Sequence, residues 1–119
     1  MLKLTIVFIL LSTSMGYTNK RLLLVFADSE SNSLLKQQQK ILSAGLKGLK
    51  ERDVEVKYFY AEQVQAEFKK RNITAPFTII LVGKDGGDKL ESLKPLSLKN
   101  IYDTIDAMPM RQSEMKRHP

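Results

Sequence analysis

The chain reads as an α/β domain with elements in the order strand, helix, strand, helix, strand, strand, helix, making a mixed four-stranded sheet flanked by helices. Three observations predict this. Residues 22–27 (Leu-Leu-Leu-Val-Phe-Ala) and 77–82 (Phe-Thr-Ile-Ile-Leu-Val) are short apolar runs, the pattern of central strands buried on both faces. Between them lie a long helical periodicity and an alternating stretch, as a strand–helix–strand unit requires. After the second run, the glycine-rich segment 83–88 leads into a short polar stretch, the pattern of a hairpin.

The first sixteen residues are set apart from the fold. Met1-Leu2-Lys3 is a positively charged start, Leu4 to Leu11 is apolar except for Thr5, and Ser12 to Gly16 is small and polar. That order predicts a secretory signal peptide over 1–16, with Ser14-Met15-Gly16 as the small-x-small cleavage site. The apolar run falls well short of the ~20 residues needed to cross a membrane, so no membrane span is expected. The expected destination is the periplasm or the extracellular space. The predicted organisation is then one domain over 17–112 and a basic, flexible tail over 113–119.

Composition excludes whole classes of chemistry. There is no cysteine, so disulfides, a thiol nucleophile and thiolate metal ligands are absent. The one histidine, His118, is next to the last residue, which removes a histidine-based triad and a multi-histidine metal site. No metal and no cofactor is expected. The formal net charge of +6 favours an anionic partner, with a solvated basic surface as the plainer reading. The basic residues are spread along the chain without interleaved aromatics, which argues against a nucleic-acid partner.

Taken in order, Leu22 to Ala27 is the first strand, closed by the turn-forming and capping residues Asp28 to Ser33. Leu34, Leu35, Gln38, Ile41, Leu42, Leu46 and Leu49 recur at helical spacing and predict one amphipathic helix over 33–52. Gly45 and Gly48 lower its propensity but permit close packing. Val54 to Tyr60 alternates as a strand with one more polar face, as expected near a sheet edge. Val64 and Phe68, four apart, mark a short helix over 62–71. Pro76 introduces the strand 77–82, Gly86-Gly87 offers the positive-φ positions of a turn, and 89–92 is the return strand. Ser97 is the N-cap of a last helix with Leu98, Ile101, Tyr102, Ile105 and Met108 on its apolar stripe; Pro109 is expected to stop it.

This order resembles the core of the thioredoxin fold, in which a proline precedes the third strand. The resemblance implies a cis peptide at Pro76 and places the family's redox motif near Glu30 to Ser33, where this chain has Glu-Ser-Asn-Ser. Cysteine-based disulfide exchange and peroxide reduction are therefore absent. The wording of the last third is more specific. Leu81-Val82-Gly83-Lys84-Asp85-Gly86-Gly87, Lys89-Leu90, Pro95-Leu96-Ser97-Leu98 and Ile105-Asp106-Ala107-Met108-Pro109-Met110-Arg111-Gln112 resemble an uncharacterised domain-of-unknown-function family. That family occurs in small exported bacterial proteins and forms the peroxiredoxin-like domain of animal sushi-repeat-containing extracellular proteins. It implies a thioredoxin-like fold over 19–115 and carries no established reaction or ligand.

Four side chains stand out as ligand-binding candidates: Arg111, Lys84, Asp85 and Glu30. Arg111 offers a planar fork for a carboxylate or phosphate beside Met108 and Met110, though it also suits capping of helix carbonyls. Lys84 and Asp85 lie in a glycine loop that is not followed by a helix, so a hairpin turn explains it better than a phosphate-binding loop. Glu30, with Asp28 and Ser29, lies where thioredoxin-like domains place their chemistry, but helix capping also accounts for these residues. The leading expectation is an exported, redox-inactive module that binds a protein or an anionic ligand. The alternatives are a cysteine-independent enzyme using Asp28, Glu30 or Asp85 with Arg111, and a homodimer paired through the edge beside 54–60.

Overall fold

The computed structural model describes residues 18–117; the predicted signal segment and His118 lie outside them. The strands are β1 (Arg21–Ala27), β2 (Val54–Tyr60), β3 (Phe77–Val82) and β4 (Asp88–Ser92). The helices are α1 (Ser33–Ser43), α2 (Leu46–Glu51), α3 (Gln65–Lys70), α4 (Leu98–Asp106) and α5 (Pro109–Arg117). The sheet order is β2-β1-β3-β4. β1 pairs parallel to β2, from Arg21 opposite Val54 to Ala27 opposite Tyr60. β1 and β3 are antiparallel, as are β3 and β4.

The unbroken apolar runs have the explanation expected of them, since the two central strands are covered on both faces. Leu23, Val25 and Ala27 of β1 join Phe77, Ile79 and Leu81 of β3 beneath α1, α2 and α4, which contribute Leu35, Leu42, Leu49, Ile101 and Ile105. Leu24, Phe26, Ile80 and Val82 face the other way, against Phe68 of α3. Phe26 anchors that second layer, stacked on Phe59 at 4.9 Å and edge-on to Phe68 at 5.1 Å. β2 alternates as its sequence requires, with Val54, Val56, Tyr58 and Tyr60 packed against the first layer and Glu55 and Lys57 exposed.

Several expectations are corrected. The helix expected over 33–52 is two helices, broken at Ala44-Gly45 where α4 comes close. Tyr102 Oη donates to the Gly45 carbonyl at 3.0 Å, and a Cβ on Gly45 would lie 2.6 Å from a Leu98 methyl carbon. The N-cap of α1 is Asn32, whose Oδ1 accepts from Leu35 N at 3.0 Å, rather than its acidic and serine neighbours. In the β3–β4 turn only Gly86 has a positive φ, at 85°. The peptide before Pro76 is trans, as every described peptide is, and the carbonyl of Pro76 itself accepts from Asp28 N at 2.9 Å and Asn32 Nδ2 at 3.1 Å.

The end of the chain departs most from expectation. Pro109 does not stop a helix but begins α5, since a proline at the first helical position loses no hydrogen bond and has its φ already set. Residues 113–117, expected to be a flexible tail, form its last turns, held by Glu114 as described below.

Candidate functional site

Lys84, Asp85 and Arg111 gather at one end of the sheet, where β1 and β2 begin and β3 finishes. Arg21, the first residue of β1, is completely buried at 0% exposure. Its Nη1 donates to the Arg52 carbonyl at 2.8 Å and to Glu114 Oε1 at 3.2 Å, while Nη2 donates to Glu114 Oε2 at 3.2 Å. Lys84 Nζ, one turn beyond β3, donates to the same carboxylate at 2.7 Å and to Asp53 at 2.9 Å. Asp53 reaches it from a left-handed position (φ 55°) that ends α2.

Arg111 enters this network from α5. Its Nε donates to Asp106 Oδ1 at 3.0 Å, its Nη2 to Glu51 Oε2 at 3.3 Å, and its Nη1 to the Glu51 carbonyl at 3.4 Å. Arg52 holds Asp106 from the other side with two hydrogen bonds of 3.0 and 2.9 Å, its guanidinium 4.0 Å from the centroid of the Tyr102 ring. Arg21, Arg52, Lys84 and Arg111 thus face Glu51, Asp53, Asp106 and Glu114, and the formal charges cancel.

The electrostatics follow from that balance. The Arg52 hydrogen bond holds the Asp106 carboxyl below the usual range, against the opposite push of burial and with help from Arg111. Burial pushes Glu114 up, but the bonds from Lys84 and Arg21 together outweigh it and the carboxyl is held low. Both groups stay ionised at neutral pH and hold no proton to deliver, so the cluster is suited to fastening elements together rather than to acid catalysis. Asp85 serves its own hairpin: it accepts from Lys89 Nζ at 2.8 Å and from Gly87 N at 2.9 Å, and these bonds lower its pKa, the Lys89 bond most.

Beside the network, between the β3–β4 turn and the α4–α5 junction, runs a groove of about 470 Å³. Arg21, Lys84 and Lys89 contribute to one wall, and Met108, Pro109 and Met110 to the other. Arg21 Nε is a buried donor with no hydrogen-bond partner, the only such side-chain atom among the described residues.

Glu30 is elsewhere. It lies beyond the far end of β1 and accepts from Gln63 Nε2 at 3.1 Å, near Asp28, which accepts from Asn32 Nδ2 at 2.9 Å. The seven residues of β1 separate it from the Arg111 cluster, a span of about 20 Å at the usual rise per residue. A second hollow of about 380 Å³ lies at that far end, between Asp28, Pro76 and Phe68. The structure therefore joins Lys84, Asp85 and Arg111 in one region and does not bring Asp28 or Glu30 to Arg111. It adds Arg21 and Glu114, which sequence reasoning missed. Arg21 read as a polar flank to a strand, and Glu114 as part of a tail. Among the described residues there is no group of acidic or histidine side chains that holds a metal ion, and no helix long and apolar enough to cross a membrane.

The sheet order, the helices on both faces and the proline before β3 define a thioredoxin-like fold. Solved structures with the same fold include thioredoxin-2, a component of the malaria parasite's protein secretion machinery, at 13% identity and a TM-score of 0.64, covering 80% of this chain and 89% of that one. Trxlp from Edwardsiella tarda aligns at 17% identity and a TM-score of 0.61, covering 75% and 84%. A thioredoxin-fold protein from Helicobacter pylori aligns at 14% and 0.62, covering 84% and 75%. Residues 14–114 match the family described as a domain of unknown function, DUF4174, and the chain belongs to that family. No curated protein matches.

Proposed function

We propose that this protein is an exported, thiol-independent thioredoxin-like module that binds an uncharged, apolar segment of another protein in the groove beside Met108 and Met110. Export rests on the charged, apolar and small-residue order of residues 1–16. The observation that carries the binding reading is the groove of about 470 Å³ itself, with Met108, Pro109 and Met110 forming an apolar wall. An anionic ligand is a poorer fit here, because the Lys84 and Arg21 charges are already matched by Asp53 and Glu114, and Lys89 by Asp85. Methionine side chains adapt to varied apolar partners.

The test is selection of peptides from a random library on the purified protein, followed by mapping of the bound peptide through backbone amide NMR shifts. Enrichment of apolar peptides that perturb Gly83, Ala107 and Met110, with binding lost in a folded Met108→Glu variant, is the expected result. Peptides that bind the Met108→Glu variant equally well, or that perturb only Asp28 and Ala75 at the far end, would overturn the reading. A library that yields no binder would count against it as well.

A further inference from the structure

We infer that the outer face of α1 and α2 is a docking surface for an anionic lipid bilayer. The end network and the exposed pairs together engage Arg21, Arg52, Arg71, Lys84, Lys89, Lys99 and Arg111. The remaining cations carry the protein's positive excess, and four of them share one face. Lys36 and Lys40 are four apart on α1, and Lys47 and Lys50 three apart on α2, so each pair lies on one side of its helix. All four are exposed and form no ion pair among the described residues. The buried residues Leu35, Gln38, Leu42 and Leu49 take the opposite side, against the sheet.

What singles out a bilayer among polyanions is Leu46. It is 65% exposed, the most exposed large apolar side chain among the described residues, and it follows the jog between the two lysine pairs. A leucine held in water among lysines suits a surface with anionic headgroups outside and acyl chains beneath. Residues 33–52 contain no aromatic side chain on which bases could stack. The face also presents lysine point charges in place of the arginine forks that read phosphate geometry. From Ser33 to Glu51 the two helices extend along a bilayer for roughly 25–30 Å. This surface is separate from the methionine groove, whose lining includes no residue of α1 or α2.

The chain has no cysteine, so a single engineered one reports its own position. Environment-sensitive labels are placed on Ser43→Cys, on the lysine face, and on Ala66→Cys, an exposed position of α3 on the opposite face of the sheet. Each protein is mixed with vesicles of phosphatidylglycerol and phosphatidylcholine, or of phosphatidylcholine alone. The expected result is a blue shift at position 43 and not at 66, on anionic vesicles alone, reversed by high salt. Each lysine removed should lower partitioning about fivefold, so Lys40→Glu with Lys47→Glu should nearly abolish it, and Leu46→Ser should weaken it at an unchanged melting temperature. All variants share the same N-terminal segment, so its own lipid affinity cancels in the comparison. Equal shifts at the two labels, equal partitioning of the charge-reversed protein, or binding to heparin without binding to anionic vesicles would overturn the inference.

Discussion

Gln38 and Leu96, 58 residues apart, clasp each other by two hydrogen bonds: the Gln38 amide donates to the Leu96 carbonyl at 3.0 Å and accepts from the Leu96 amide at 2.7 Å. The glutamine is fully buried in the helical stripe of α1 and acts as a strand edge would, satisfying a backbone that has left the sheet after β4. It fixes the approach of the loop before α4 and so the placement of that whole helix. Gln38→Leu keeps the volume but strands both backbone groups of Leu96. It should lower stability by about 2–4 kcal/mol, seen as a lower urea midpoint with an unchanged slope.

Gly48 is kept small by Tyr102. A Cβ there would collide with the Tyr102 hydroxyl and lie 2.7 Å from the ring carbon that bears it. Gly48→Ala should therefore destabilise by about 1–3 kcal/mol, despite alanine's better helix propensity. Combined with Tyr102→Phe, which removes the colliding oxygen, the cost should be less than the sum of the single changes. Thermal unfolding of the four proteins of the cycle measures it.

Glu114 holds the buried Arg21 guanidinium, so its removal leaves a cation without its carboxylate. Glu114→Gln should cost about 2–4 kcal/mol at neutral pH, and deletion of 113–119 at least as much. The sign with pH is set by the lowered carboxyls of Glu114 and Asp106. A group whose native pKa is depressed stabilises above its unfolded value and loses that contribution as pH falls through the native one. The wild-type urea midpoint should hold from neutral pH to about pH 5 and then fall towards about pH 2. Glu114→Gln should start lower and fall less steeply.

Arg111 is expected to matter for folding and not for ligand recognition. It is buried, with Asp106 and Glu51 on its fork and Glu114 at 3.8 Å. Arg111→Ala should destabilise by about 2–4 kcal/mol. Peptide binding, measured by calorimetry at a temperature where the variant remains folded, should be unchanged. Arg111→Lys should recover only part of the loss, because an ammonium cannot bridge Asp106 and Glu51 as the planar fork does.

The two central strands, the alternating β2, the glycine hairpin and the Ser97 cap of α4 were legible in the sequence because each depends on local periodicity or turn chemistry. So was the absence of thiol chemistry, which composition alone decides. The break at Gly45 was not legible, since it answers to Leu98 and Tyr102, more than fifty residues on. Nor was α5. Pro109 serves equally well as a stop or as a first helical residue, and the ion pairs of Glu114 with Arg21 and Lys84 and of Arg111 with Asp106 and Glu51 favour the second choice.

The ion-pair end shows the same division from the side of the candidate site. Lys84, Asp85 and Arg111 drew notice as charged residues in a distinctive stretch, but a side chain's role depends on what meets it across the fold. Arg111 and Lys84 meet Asp106, Glu51, Asp53 and Glu114 there, and their charge is matched. Arg21 and Glu114 gave no local signal at all, being 93 residues apart, and became a buried pair through the closure of α5 over the start of β1. By itself the sequence determined the order of the strands, the two-faced core and the chemistry the protein lacks, because periodicity and composition are local properties. Tertiary structure alone decided the long-range pairings of Arg21, Arg52 and Lys84, because they are set by distances that no stretch of the chain contains.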